Sequence, residues 1–248
     1  MSTFDEIAIR YDETRGGAIR GDVYARGLAD RIDAGADILE VGVGTGVVAQ
    51  GLQRRGHRVA GIDISWNMLT LAHARLGGRV MLADACRMPF ATGSFRYAVA
   101  VWVLHVVPDP AALLREIGRV LRPGGRLLVC PENRPSPADP VGRAHQELGQ
   151  RISALKGRTD WTVTADDILR LGEQAGFGGV TERLPDQTWQ STREHEIHSI
   201  TSRAWSDLVD LTDEEFAIVT ANALAQFRSL PPGPLLRRAT AEVVVLQR

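Results

Sequence analysis

Short apolar runs and longer amphipathic stretches alternate along this chain from residue 37 onward. Asp37–Val41, His57–Asp63, Arg79–Ala83, Tyr97–Trp102 and Arg126–Cys130 have strand length, and Tyr97–Trp102 is continuously apolar, as in a strand buried on both faces. The stretches between them predict helices. One starts at Gly46 and stops at Gly56; one is capped by Ser65 and carries Trp66, Met68, Leu69 and Ala72, with Trp66 and Met68 read as core residues that could instead edge onto a ligand; one runs from Asp109-Pro110 to about Leu121. Strands alternating with helices predict an α/β fold with a doubly wound, mostly parallel sheet. Ahead of the first strand, Phe4, Ile7, Ala8 and Tyr11 share one helical face, and a second helix spans about Ile19 to Ile32. After the fifth strand, Pro131, Pro135, Pro137 and Pro140 mark a linker. Helices at about Val141–Leu155 and Thr164–Gly176 and a strand at Val180–Leu184 follow. Helices at about Thr192–Leu208 and Asp213–Phe227 then form a helical insertion before a last strand at Thr240–Gln247.

The chemistry centres on Ile38-Leu39-Glu40-Val41-Gly42-Val43-Gly44-Thr45-Gly46, read as strand, tight loop and helix start. Glycines let the backbone turn sharply and approach a ligand, and the free N–H groups of a helix start meet ligand oxygens. The spacing departs from the dinucleotide pattern G-x-G-x-x-G: its third glycine position falls on Val47, and Gly46 comes one residue early. Glu40, two residues before the first glycine, would repel a pyrophosphate and attract an ammonium or sulfonium group. Ligands of doubly wound sheets sit outside the carboxyl ends of the strands. Asp63 lies at such an end, close to the roughly 20-residue offset of a ribose-binding acid. Asp84 ends the third strand, where a carboxylate accepts from an adenine amino group while the Ala85 backbone beside it donates to the ring.

Composition narrows the classes of partner. A net charge of −1 offers no broad surface for nucleic acid or an anionic membrane. Cys86 and Cys130 fit no C-x-x-C pattern. No apolar run reaches membrane-spanning length and the first residues are too acidic and polar for a signal peptide, so a cytoplasmic location is expected. Nothing in the pattern indicates an oligomeric state.

Taken in order, these motifs resemble those of the class I S-adenosylmethionine-dependent methyltransferases. More narrowly they resemble the type 11 group, which includes quinone-biosynthesis C-methyltransferases and many small-molecule O-methyltransferases. The matching residues are Leu39–Gly46, Gly61-Ile62-Asp63-Ile64-Ser65, Ala83-Asp84-Ala85 through Pro89-Phe90, Leu104-His105, and Val120-Leu121-Arg122-Pro123-Gly124-Gly125, across about residues 37–130. The resemblance implies a seven-stranded sheet of order 3-2-1-4-5-7-6 with the last strand antiparallel. It implies that Glu40 and the loop of Gly42, Gly44, Thr45 and Gly46 hold the methionine end of S-adenosylmethionine. Asp63 would hold the ribose, Ile64 and Met68 flank the adenine, Asp84 and Ala85 read its edge, and Ala100 offer a carbonyl to the ammonium. Tyr11 either covers the ligand or packs in the core. Three residues or motifs depart from the broader family: Arg96 stands where an acid is usual, the Asn/Asp-Pro-Pro-aromatic motif of nucleic-acid amino methylases is absent, and the metal ligands of catechol-type enzymes are not evident.

A single domain over residues 1–248 is therefore expected, with a helical N-terminal lid (1–35), a cofactor-binding core (36–131) and a substrate half (132–248) whose cap spans about 185–235. A sulfonium methyl group is already activated, so the protein need only hold a nucleophile in line and exclude water. A hydroxyl acceptor also needs a base, and His105, just after the fourth strand, is the candidate because histidine titrates near neutral pH. The same position also reads as a structural histidine that shapes the pocket. His195 and His198 lie three apart on a predicted helix without a third or fourth ligand, so no metal is expected. Trp102, Trp161, Trp189 and Trp205 are candidates for an apolar pocket or for the core. The expected function is methyl transfer to a small molecule, oxygen ahead of carbon or nitrogen. The rivals are a cofactor-binding or partner protein of the same fold that performs no transfer, and a nucleotide-dependent oxidoreductase.

Overall fold

Two helices, α1 (Thr3–Arg15) and α2 (Gly17–Ala29), precede β1 (Asp37–Val41) in the computed structural model of this chain. Next come α3 (Val47–Arg54), β2 (Arg58–Asp63), α4 (Trp66–Leu76), β3 (Val80–Leu82), β4 (Phe95–Val101), α5 (Pro110–Val120) and β5 (Leu121–Cys130). They are followed by β6 (Arg134–Pro135), α6 (Pro140–Leu155), α7 (Ala165–Gln174), β7 (Gly178–Arg183), β8 (Gln187–Thr192) and α8 (Arg193–Thr201). The last elements are α9 (Ser206–Val209), α10 (Asp213–Ser229), β9 (Pro234–Thr240) and β10 (Glu242–Gln247). The structure describes residues 3–15, 17–132, 134–136, 139–157 and 163–248, so the expectations at Pro137 and Trp161 lie outside the described residues.

Local chemistry sets the helix ends. The Ser65 hydroxyl accepts the Met68 N–H at the start of α4, and Gly77 closes that helix in the left-handed region. Asp109 accepts the Ala112 N–H at 2.8 Å ahead of Pro110, and Thr164 and Asp167 form a reciprocal capping box on α7.

Seven strands form one sheet in the order β3-β2-β1-β4-β5-β10-β7. Counted within the sheet, β7 and β10 are the sixth and seventh strands, so the order is the expected 3-2-1-4-5-7-6. β10 alone runs opposite to the other strands of this sheet, with Val244 facing Val129 on one side and Thr181 on the other. Strand order reverses between β1 and β4, where Val41 pairs with Ala100; this is the switch point at which open α/β sheets bind ligands. Leu39, Val41, Ala98, Ala100, Leu127 and Val129 pack with Leu113, Leu114 and Ile117 of α5 and Ile168 of α7. Each large side chain fully buried there is worth about 1.5–3 kcal/mol. Side chains alternate across a strand, so Glu40 leaves β1 on the opposite face from Leu39 and Val41.

The chain divides into two compact units. The first comprises Met1–Glu132, Val163–Leu184 and Glu242–Arg248, and so holds the whole seven-stranded sheet. The second comprises Asn133–Thr162 and Pro185–Ala241. Its core joins Leu148 and Ile152 of α6, Ile200 of α8, Leu208, and Val219 and Phe227 of α10. It also contains a three-stranded antiparallel sheet, β6-β9-β8, which the sequence pattern did not announce. Gln187–Thr192 and Pro234–Thr240 are polar or arginine-bearing and carry no apolar run. The helix expected over Thr192–Leu208 is broken: α8 ends at Thr201, Arg203 takes a φ of +52°, and α9 begins at Ser206.

Candidate functional site

The site grows from the end of β1. Gly42 has a φ of +68° and lies so close to Val103 that a Cβ would come within 2.5 Å of its side chain. Gly44, at φ +53°, faces open space, so there the backbone conformation alone calls for glycine. The Gly44 N–H donates to one oxygen of Asp63 at 2.8 Å, and the Ser65 N–H donates to the other at 2.9 Å. Asp63 thus ties the glycine loop to the loop after β2. Burial raises its pKa, and the backbone hydrogen bonds partly offset that rise.

Glu40 is 2% exposed, and its Oε2 has no hydrogen-bond partner among the described residues. Burial, with the charge of Asp63 adding to it, pushes its pKa up to about 8. An orphaned buried carboxyl is costly, and a cation delivered to it removes that cost. The loop and its acid therefore fit a ligand that carries an ammonium group.

The other residues singled out from the sequence fall around the carboxyl ends of β1 to β4. Thr45 is buried and donates its hydroxyl to Asp12 at 2.6 Å. Gly46 opens α3 at φ +84°. Ile64 is open to solvent and Met68 is buried beneath the Ser65 cap. Trp66, expected in the core, is instead 66% exposed, since the first turn of α4 turns it outward. Asp84 is exposed and accepts the Cys86 N–H at 2.8 Å, with Ala85 half-buried beside it. Ala100 is buried in register with Val41 and Val129. Tyr11 is half-buried on α1.

A second cluster lies beyond β4 and β5. His105 Nε2 stands 3.5 Å from Oε1 of Glu132, within ion-pair range, and both side chains are mostly buried. They line a narrow cleft of about 10 Å³ with Trp102, Val103, Leu104, Val129, Cys130, Pro131, Val163 and Ile168. Trp102 has a φ of +57°, an outlier for a bulky residue and of the kind that gathers at functional sites. Its indole N–H is buried with no hydrogen-bond partner among the described residues. Tyr24 meets the ring edge-on at 4.7 Å between centroids, and the Arg20 guanidinium lies 3.8 Å over its face. Sequence reasoning missed Glu132 and Arg75, which sit in no recognisable motif; Asp12 belongs to the Phe4…Tyr11-Asp12 stretch, which looks family-like in the sequence but carried no assigned role. A larger cavity of about 420 Å³ lies at the opposite, amino ends of β1 to β3, lined by residues such as Ile38, Val59, Val80 and Phe95. It lacks the glycine loop and the orphaned acid, so we place the site at the carboxyl ends.

Elsewhere, His195 and His198 are exposed on α8, and the described residues contain no group of three or more His, Cys, Asp or Glu side chains placed to hold a metal ion. No helix of the described residues is long and apolar enough to cross a membrane.

A family model described as a methyltransferase domain matches residues 39–129. The demethylmenaquinone methyltransferase of Mycobacterium tuberculosis is 38% identical over 204 residues, which cover 73% of this chain and 85% of that protein. The chain belongs to the class I S-adenosylmethionine-dependent methyltransferases, in the type 11 group. S-adenosylmethionine is accordingly its cofactor. The protein of the same name from Mycobacterium marinum is 39% identical over 138 residues, and there the match spans only 59% of the relative's length. Solved structures share the fold. The phosphoethanolamine N-methyltransferase 2 of Haemonchus contortus, in complex with S-adenosyl-L-methionine, superposes with a TM-score of 0.56 at 18% identity, over 97% of this chain and 56% of that one. The [4+2]-cyclase SpnF does so at 0.55 and 20% identity, over 92% of this chain and 81% of that one. A cyclase on this fold is a reminder that the fold by itself does not name the reaction.

Proposed function

We propose that this methyltransferase acts on an oxygen of a small, largely apolar organic molecule, with His105 as the base. The observation that carries the reading is the His105–Glu132 pair beside an apolar cleft at the carboxyl ends of β4 and β5. S-adenosylmethionine, when bound, supplies a methyl group on a positively charged sulfur that needs no further activation. The protein's residues do the rest. Glu40 holds the ammonium through its unpaired oxygen, with the Ala100 carbonyl beside it. Asp63 accepts ribose hydroxyls on the lone pairs left after its two backbone bonds, and Ile64, Met68, Asp84 and Ala85 frame the adenine. With Nε2–H turned toward Glu132, Nδ1 of His105 is left as the proton acceptor, and the Glu132 charge stabilises the imidazolium that forms. The apolar lining keeps water from the deprotonated acceptor.

Relatives named for demethylmenaquinone support a quinone-class acceptor, whose reduced form carries ring hydroxyls for such a base. That name also supports a second reading, transfer to a ring carbon of the same acceptor, which the same deprotonation serves. The test is transfer of labelled methyl to a reduced naphthoquinone and to simple hydroxyarenes, followed by location of the label. His105→Ala should lower kcat by about 100-fold or more while leaving S-adenosylhomocysteine affinity unchanged. An unchanged rate would remove His105 as the base. Tight cofactor binding with no transfer to any acceptor would favour the rival reading of a protein that binds the cofactor without using it.

A further inference from the structure

Two aspartates two helical turns apart on α1 reach the loops of the ligand site. Asp5 Oδ1 accepts the Ser65 hydroxyl at 2.7 Å and the Asn67 N–H at 3.1 Å, and the Asn67 amide donates to the Asp5 carbonyl at 2.8 Å. Asp12 does the same for the glycine loop. One of its oxygens accepts the Thr45 hydroxyl at 2.6 Å, and the other is paired with the Arg75 guanidinium of α4. The second arm of that guanidinium donates to the Thr45 carbonyl at 2.5 Å. A single charged pair therefore grips Thr45 at both its hydroxyl and its carbonyl. Thr45 is 1% exposed and stands between two glycines in the left-handed region. A stretch of alternate glycines has a wide choice of conformations, so a ligand that needs one of them is better served when it is already held.

We infer that Asp12 and Arg75 are positioning residues for the cofactor. They hold the glycine loop, through Thr45, in the form that receives the methionine end, and they make α1 part of the site. The inference rests on reading that loop as the methionine-end cradle. Neither residue touches the reacting atoms. Their direct contacts are to Thr45 in the loop after β1, whereas ribose and adenine are met by the loops after β2 and β3. Loss of the pair should therefore be felt by ligands that carry the amino-acid tail and spare those that lack it. A tie that merely pinned α1 to the fold would not discriminate in this way.

Calorimetric titration of the full chain with S-adenosylhomocysteine and with 5′-methylthioadenosine, which lacks the amino-acid tail, makes the test. Hydrogen exchange across residues 3–15 and 42–46 is followed alongside. Asp12→Ala and Arg75→Ala should weaken S-adenosylhomocysteine about tenfold or more, as expected for charge-assisted hydrogen bonds, and leave methylthioadenosine within about twofold. Exchange should quicken in both segments. Asp12→Asn, which retains an acceptor for the Thr45 hydroxyl but loses the charge, should fall between wild type and Asp12→Ala, and it keeps the test open if an alanine variant fails to fold. Unchanged S-adenosylhomocysteine affinity overturns the proposal, and so do equal losses for both ligands. Wild type that binds neither ligand would overturn the cofactor reading itself and the proposal with it.

Discussion

Glu40 is the residue on which the electrostatics of the site turns. Burial, then the nearby Asp63, lifts its pKa from 4.5 to about 8, so at neutral pH the folded chain keeps a proton that the unfolded chain has lost. Stability from this group is complete below the ordinary carboxylate range and is lost as pH rises from about 4.5 through about 8. Asp63, raised chiefly by burial, acts in the same direction. Melting temperatures of the ligand-free chain should fall across that window, and Glu40→Gln should flatten the fall. An ammonium docked on Glu40 expels the proton, so S-adenosylhomocysteine binding at pH 7 should release close to one proton. Calorimetry in buffers of different ionisation enthalpy reads this directly; a heat that does not vary with buffer would show that Glu40 does not receive the cation. The placement of Glu40 and Asp63 beside the glycine loop was legible from their offsets to the glycines, because those offsets follow from one strand, one loop and one helix. Glu132 was not, because it meets His105 only through the side-by-side placement of β4 and β5.

In the second unit the deciding contact joins elements. Asp139 caps α6 by accepting the Val141 and Gly142 N–H groups, each at 3.0 Å, and pairs with Arg237 of β9 at 2.7 Å. The other arm of Arg237 reaches Glu196 of α8 at 2.7 Å, and His145 of α6 lies 3.1 Å from the same carboxylate. Burial alone would raise the pKa of Glu196, but the hydrogen bond and charge of His145, together with the Arg237 charge, bring it down to about 2. Its contribution is present above the ordinary carboxylate range and lost as pH falls from about 4.5 toward about 2. Arg237→Met leaves two buried carboxylates without their shared cation and should cost about 3–5 kcal/mol in chemical denaturation, whereas an exposed pair such as Arg58–Asp37 should contribute under about 1 kcal/mol. A loss for Arg237→Met no larger than that of an exposed pair would mean that the network carries little of this unit's stability. The strands that bring Arg237 into place, β8 and β9, were invisible in the pattern because they alternate poorly and are rich in polar residues. Thr188, Trp189 and Thr192 favour strands, but the pairing with β9, with Thr188 opposite Arg238 and Trp189 opposite Arg237, completes them.

At the scale of the whole molecule, the order reversal between β1 and β4 puts a buried acid and a glycine loop at one sheet edge, which we propose receives a cationic nucleoside in preference to a pyrophosphate. Thermal unfolding in parallel with S-adenosylmethionine, S-adenosylhomocysteine and NAD should separate these. A ligand at about 100 times its dissociation constant adds roughly 2.7 kcal/mol, or about 5–10 °C for a chain of this size. The two adenosyl-sulfur compounds should produce that rise and NAD none; a rise with NAD alone would contradict the assignment of the glycine loop. The sheet order, the antiparallel last strand and the cofactor roles came only as implications of the family resemblance; the alternating strands and helices and the glycine loop were read along the chain itself. They depend on apolar periodicity, caps and glycine placement within spans of a few to some twenty residues, where covalent connection already limits the geometry. The partner of His105, the grip of Asp12 and Arg75 on Thr45, the outward turn of Trp66 and the small second sheet could not be read in this way. Each depends on groups that are distant in sequence or on a neighbouring surface that exists only after packing, and desolvation and hydrogen-bond pairing there are decided by the folded arrangement.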